Sequence, residues 1–417
     1  MKILLVKPPF ARLLGSRVYQ VSPLGLMYVA AMLRDRGHEV RIYHDDVSNP
    51  TPLPNGPVVM GEMHIEAVTS DVAAPYVEVL ETWQPDAVGI SYTTADVPAA
   101  HVYAGMARRR GIRTVGGGIH ASLLAQAELG KPAGSVFDAI VKGEGDAEDM
   151  WAAFEAAKPC ILTGVVADLD RYLPARDAVI NGHRYDPFLR GLIQTQRGCP
   201  YSCAYCAAPK VFGTKVRTRR PEAVRAEVDA LGVQHGRIID DSFGVVRSHG
   251  LAVCRALEGS GFRWVCDAAL QNVDEELAEA LVAGGCEKVC MGVESATARI
   301  RELSGKHLQE GDPERAFEML RGRGVDRVAF YLMIGFPGET KEEMRATLAW
   351  GKRLHDLGAD ISLSLVTAYP GTRLWEMVPA GQRPSSWGEC MHQSGATRLG
   401  ALTAAEWQAI LEEAREI

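Results

Sequence analysis

The chain has 417 residues, of which 47% are apolar and 23% charged. This is ordinary globular usage and argues against disorder, collagen-like repeats and low complexity. Its 45 basic and 52 acidic side chains leave a net charge of −7 with no lysine- or arginine-rich block, which argues against nucleic acid as the main partner. No run approaches about 18 uninterrupted apolar residues, and MKILLVKPPF reads as a first strand rather than a targeting segment. A cytoplasmic protein with no membrane span is expected, long enough for two or three domains of about 150 residues.

In chain order, residues 1–157 alternate short apolar runs (KILLVK, EVRIY, DAVGIS, RTVGG, DAIVKG) with helical periods, from PLGLMYVAAMLRDRG to a last helix near AEDMWAAFEAA. Five strands each followed by a helix predict an α/β doubly wound domain with a parallel sheet. Ligands of such sheets sit beyond the carboxyl ends of the strands, where Ser91, Tyr92, Thr93, Gly116, Gly117, Gly118, Gly143, Glu144 and Gly145 fall. Glycines there let a ligand approach the backbone closely, although any one of them is as readily a plain turn. No G-x-G-x-x-G follows the first strand, so dinucleotide binding is disfavoured.

Residues 158–190, with several prolines, read as a linker. Over 191–380 a second series follows, with apolar runs at LIQTQ, GRIID, FRWVC, KVCMGVE, RVAFYLMIG and ISLSLV separated by helical segments. Six strand–helix repeats are too few for a full eight-fold barrel, and a partial (β/α)6 barrel is expected. Residues 381–417 form a short tail with one helix, capped at Thr403.

Nine cysteines fit a disulfide framework poorly. Cys160, Cys254, Cys266, Cys286, Cys290 and Cys390 are scattered and read as small buried apolar residues. Cys199, Cys203 and Cys206 instead crowd into C-x3-C-x2-C directly after the first strand of the second series, at the end of the barrel where chemistry occurs. Three clustered thiolates suit a soft metal centre. Structural zinc wants a fourth ligand with matching spacing, and a thioredoxin-like site needs only two thiols. An iron–sulfur cube held by three cysteines leaves one iron open to a small molecule.

This spacing resembles the signature of the radical S-adenosylmethionine (SAM) superfamily. The resemblance implies a [4Fe-4S] cluster on Cys199, Cys203 and Cys206 whose open iron is chelated by SAM. It further implies cleavage of SAM to a 5'-deoxyadenosyl radical that abstracts hydrogen from substrate, with the electron supplied by a flavodoxin- or ferredoxin-type donor. Further blocks match one per strand: Tyr205 before the last cysteine, Asp240 and Asp241 in IIDDSF, Glu294 and Ser295 in MGVES, Gly335 and Pro337 in IGFPGET, and YPGT at 369–372. All but those of YPGT are the SAM-binding residues the resemblance implies. Asp240 and Asp241 read equally as helix-capping carboxylates. One departure stands out: where relatives often carry an arginine after the third strand, this chain has Asp267-Ala268-Ala269-Leu270, leaving Arg217 or Arg219 as substitutes.

SPLGLMYVAAMLRDRGHEV, GISYTT, GGGIHAS and IVKGEGD resemble the cobalamin-binding domain that one branch of the superfamily places ahead of the barrel. The resemblance implies a corrinoid pocket, intact or remnant, at Ser91, Tyr92, Thr93, Gly117, Gly118, Gly143 and Glu144. The D-x-H-x-x-G motif that ligates cobalt elsewhere is absent, and His44 does not stand in that pattern. Two readings follow for a small-molecule substrate of a bacterial biosynthetic, secondary-metabolite pathway. In the first, cobalamin is a third cofactor and the reaction is C-methylation. In the second, the first domain does not use cobalamin and the radical drives dehydration, deoxygenation or epimerisation of a polyol or aminoglycoside-type sugar. Asp96, His120, Asp267 and Tyr331 are unranked candidates for the substrate acid or base.

Overall fold

The computed structural model describes residues 1–14, 20–51, 68–130, 134–384, 386–390 and 402–415. Its first sheet is built from β1 (Lys2–Lys7), β2 (Glu39–His44), β3 (Ala87–Ser91), β4 (Arg113–Gly117), β5 (Ala139–Gly143) and β6 (Cys160–Gly164), in the order β2-β1-β3-β4-β5-β6. All five pairings are parallel. The apolar runs that announced β1 and β3 are buried through their length, as central strands covered on both faces must be. Helix Leu24–Asp35 covers one face, and helices Ser70–Trp83 and Val97–Arg108 the other. The strand order turns between β1 and β3, which opens a crevice at the carboxyl ends.

Two details depart from the sequence reading. The AEDMWAAFEAA segment winds as a 3₁₀ helix over Glu148–Phe154. The segment read as a linker carries the sixth strand, paired with β5 from Cys160 to Gly164, and sends Ala178, Val179 and Tyr185 into the core of the first domain. Its prolines concealed this, because β6 is a half-buried edge strand without the apolar run that marks a central one.

The second domain opens with β7 (Leu192–Ile193), followed by a short antiparallel ribbon of β8 (Gln196–Arg197) and β9 (Arg217–Thr218). Then come β10 (His235–Phe243), β11 (Arg263–Ala268), β12 (Cys286–Glu294), β13 (Arg327–Ile334) and β14 (Asp360–Leu365). The parallel order β14-β13-β12-β11-β10-β7 follows the sequence, with β7 and β14 at the edges, so the expected partial barrel is present. In β11, Trp264, Cys266 and Ala268 are buried while Val265 and Asp267 remain half-buried, which is the two-residue alternation of a strand with helices on one side and an open lumen on the other. The tail helix Ala404–Ala414 has the capping box predicted at Thr403, and Trp407, Ile410 and Leu411 extend the barrel core. Residues 385, 391–401 and 416–417 of the tail lie outside the described residues. No described helix is long and apolar enough to cross a membrane.

The two domains meet through charge. Arg197, beside the cysteine loop, forks onto Asp146 of the first domain at 2.8 and 2.9 Å, and its guanidinium lies 5.1 Å from the Tyr28 ring centroid. Arg217 pairs with Glu144, which also accepts the Val166 amide at 2.8 Å. These side chains are nearly dry, at 7% exposure for Arg197 and 8% for Asp146. Removing one partner of such a pair strands a buried charge. Asp146→Ala is therefore expected to lower stability by about 3–5 kcal/mol, read as a fall in the urea midpoint of the anaerobically purified protein. Arg197→Met with Asp146→Leu should recover most of that loss.

Candidate active site between the two domains

A cavity of about 890 Å³ lies between the domains, within the size range of cofactor sites. Its floor is the carboxyl end of the first sheet: Ser91, Tyr92 and Thr93 at the end of β3, Gly117 and Gly118 at the end of β4, Gly143 and Glu144 at the end of β5. Its opposite wall is the barrel mouth, with Tyr205, Cys206 and Asp241, and Tyr369 and Cys390 line it as well.

The glycines explain how the floor stays open. A Cβ on Gly117 would meet nothing closer than 3.9 Å and would stand in space the cavity needs. Gly118 is required for its own conformation: φ is +93°, and a Cβ would strike the Tyr92 backbone at 2.7 Å. Tyr92 and Glu144 prove structural. The Tyr92 ring stacks on Phe137 and its hydroxyl donates to Glu128 at 3.0 Å, so only its backbone faces the cavity. The Glu144 carboxylate is taken by Arg217, Arg197 and the Val166 amide. His44 lines the cavity, but Nδ1 pairs with the Tyr185 hydroxyl and Nε2 lies 3.5 Å from Asp46. Burial pushes Asp46 up, yet His44 and the Arg12 and Ala11 amides outweigh it and hold its carboxyl below the usual range.

On the barrel side, Gly198 turns the chain at φ +98°, where a Cβ would clash with the Lys215 carbonyl at 2.6 Å. The loop that follows is tied down by Cys199 N–H to the Gly213 carbonyl (3.2 Å) and Ala204 N–H to the Ser304 carbonyl (2.9 Å). All three loop thiols are free, and they are electrostatic neighbours of one another and of Asp241. Burial pushes the Cys199 thiol up and that of Cys206 up to about 11. Among the described residues no three His, Cys, Asp or Glu side chains are gathered tightly enough for a single metal ion. Three unbonded thiols on one loop fit a multi-iron cluster with one open position.

Beside the loop, Tyr205 donates its hydroxyl to Glu294 at 2.6 Å, and the Lys306 ammonium lies 3.4 Å from the same carboxylate. Glu294 ends β12 in the left-handed region at φ +62°, an arrangement that costs a non-glycine residue about 1–3 kcal/mol and concentrates at functional sites. Gly292 makes room for it, since a Cβ there would lie 2.4 Å from the Glu294 carboxylate and 3.0 Å from Lys306 Nζ. Burial raises the Glu294 carboxyl, and Lys306 and Tyr205 oppose that. Lys306 carried no signal of its own in the sequence.

The other expected residues separate into lining and scaffold. Asp241 faces the thiols. Asp240 points the other way and is saturated by the Thr195 hydroxyl and the Thr195 and Gln196 amides (2.7 and 3.1 Å), so it pins the strand entering the cysteine loop. Ser295 is fully buried and bonded to Thr347 at 3.0 Å. Gly335, at φ +95°, lies under Trp407 and donates its amide to Glu339 at 2.6 Å, and Pro337 follows in the same turn. The substitutes suggested for the missing arginine are occupied, Arg217 by Glu144 and Arg219 by Asp170 and Glu227. Asp267 pairs with Arg237 and accepts the Tyr331 hydroxyl at 2.9 Å inside the barrel. Asp96 is held by Lys7 and Thr93, and His120 Nδ1 lies 3.1 Å from the Thr94 hydroxyl.

Two family models match this chain: the radical SAM superfamily over residues 193–351 and the B12 binding domain over residues 12–150. The chain therefore carries a radical SAM domain, with a B12-binding domain ahead of it. Among its relatives, an uncharacterised methyltransferase of Pyrococcus horikoshii is 28% identical over 406 residues, covering 90% of this chain and 83% of the relative. The hopanoid C-3 methylase of Methylococcus capsulatus is 27% identical over 405 residues, covering 90% and 72%. The fold is shared with the radical SAM methyltransferase TsrM of Kitasatospora setae, at TM-score 0.66 and 20% identity over 89% of this chain and 74% of that one. A radical SAM domain implies a [4Fe-4S] cluster and SAM as cofactors, and the matched B12-binding domain supports cobalamin as a third.

The scaffold role of Asp240 has a pH signature. Burial raises its carboxyl from 3.8 to about 7, and that of Glu339 from 4.5 to about 7. The folded state therefore holds protons that the unfolded chain releases, so these groups make stability fall as pH rises from their ordinary values to about 7. Asp240→Asn keeps the acceptor for the two amides and should flatten that fall in a series of urea midpoints. Asp240→Ala leaves them unpaired and should lose about 2–5 kcal/mol.

Proposed function

We propose that this protein is a cobalamin-dependent radical SAM methyltransferase acting on carbon in a small-molecule substrate. The observation that carries the reading is the single cavity bounded by Cys206, Tyr205 and Asp241 on one side and by the glycine-lined strand ends of the B12-binding domain on the other. Group transfer between two cofactors and a substrate requires one continuous space, and the cavity spans the domain joint. When bound, the cluster supplies the electron that cleaves SAM and the corrinoid carries the methyl group.

The chain's own residues then have distinct tasks. Cys199, Cys203 and Cys206 would hold the iron–sulfur cluster, which would bind the amino acid end of SAM. Glu294, set by Lys306 and Tyr205, offers a carboxylate to the polar groups of SAM, and the turn from Gly335 to Pro337 brings backbone towards its base. Asp241, exposed beside the thiols, is a second polar anchor. Ser91, Thr93, Gly117, Gly118 and Gly143 form the corrinoid cradle. With both nitrogens of His44 partnered, the chain offers no histidine in the motif that ligates cobalt elsewhere. Tyr369 and Cys390 line the same cavity and would flank a bound substrate. The alternative of dehydration or epimerisation draws no support from relatives that are themselves methyltransferases.

Anaerobic reconstitution with cobalamin tests this. Wild type should show cluster absorption, retain a corrinoid and, with reductant and SAM, release 5'-deoxyadenosine. A substrate panel should yield a product heavier by one CH2, and a product that has lost water or kept its mass would overturn the reading. Cys203→Ala should abolish the cluster and the deoxyadenosine while corrinoid retention persists. Gly117→Phe should do the reverse, losing the corrinoid with the cluster spectrum intact.

A further inference from the structure

Three segments meet at one part of the cavity wall: the loop after β3 brings Asp96, the loop after β14 brings Tyr369, and the tail brings Cys390. Asp96 and Cys390 both lie close enough to the Tyr369 hydroxyl to act on it electrostatically. Asp96 is buried, and its carboxylate is used on one side only. Oδ2 accepts the Lys7 ammonium, the Thr93 hydroxyl at 3.0 Å and the Thr93 amide at 3.1 Å, while Oδ1 has no hydrogen-bond partner among the described residues. The Tyr369 hydroxyl has none there either. A buried acceptor left unpaired is costly, so such a group calls for something that completes it.

The charges around Oδ1 narrow what that is. Lys7 makes the pair neutral, so an arriving anion would face the carboxylate and an arriving cation the ammonium. Other charged groups of the wall are likewise engaged, Arg197 with Asp146 and Glu144 with Arg217, and the wall also carries apolar Ile119, Val211 and Phe212. We infer that Asp96 Oδ1 and the Tyr369 hydroxyl form the polar anchor of the substrate, and that the substrate is an uncharged molecule with an apolar body and a hydroxyl or amide N–H that bonds there. The inference rests on the reading of this cavity as the methyl-transfer site. An anchor of this kind discriminates strongly, because an analogue without the donor leaves the buried oxygen unpaired. Corrinoid amides are neutral donors of the same chemistry, and the test separates the two.

The holoprotein, reconstituted anaerobically with cluster, cobalamin and SAM, is brought to dialysis equilibrium with four probes that share one apolar body: naphthylmethanol, methylnaphthalene, naphthoate and naphthylmethylammonium. Wild type should bind the alcohol about threefold to tenfold more tightly than the hydrocarbon, and more tightly than either ion. Tyr369→Phe should remove most of the alcohol's advantage while methylnaphthalene binds as before. Lys7→Met takes away the neutralising cation and should make naphthylmethylammonium the tightest of the four. A wild type without preference for the alcohol, a preference unmoved by Tyr369→Phe, or an order of the ions unmoved by Lys7→Met overturns the anchor. An alcohol bound by corrinoid-free protein and expelled when cobalamin is loaded also overturns it, because the acceptor then serves a corrinoid amide. Failure of wild type to retain cluster or corrinoid would instead overturn the reading on which the inference rests.

Discussion

The grip of Asp146 on Arg197 is the constraint on which the site depends. Arg197 is the last residue of β8 and stands two positions before the first cysteine, so the ion pair fixes the origin of the cysteine loop relative to the first domain. Glu144 repeats the arrangement with Arg217 on the partner strand of the same ribbon. Both carboxylates lie within three residues after Gly143, the glycine that lets the end of β5 approach β6. The cavity keeps its width because its two walls are joined through four side chains that water barely reaches.

Much of the architecture was legible because parallel strands announce themselves. KILLVK, DAVGIS and RVAFYLMIG are continuous apolar runs, and such runs followed by helical periods leave few alternatives. The cysteine triplet was legible for a chemical reason: three thiols in eight positions have few other uses. What the sequence hid was direction. Asp240 and Asp241 are neighbours on a strand, so they necessarily face opposite sides, and nothing in IIDDSF says which one meets the cavity. Tyr92 and Glu144 sit in the right blocks, yet their polar ends are engaged within the scaffold. The sixth strand, half-buried and at an edge, had no periodic signal to offer.

The same limitation accounts for Lys306. It reaches the site from a loop whose neighbours are unremarkable in pattern, and it becomes visible only when strand ends from distant segments converge. Glu294 is the instructive contrast. Its motif singled it out, and the left-handed backbone together with the space left by Gly292 gives the physical reason: the position is held against local preference so that one carboxylate can face both Tyr205 and Lys306.

The dryness of the domain joint has a practical corollary. Contacts sheltered from water respond little to dissolved ions, whereas cationic patches on the outside respond strongly. Concentrated potassium chloride should therefore leave the two halves of the molecule clasped, so a salt wash in purification can be harsh towards companions held at the surface and gentle towards the cavity between the halves.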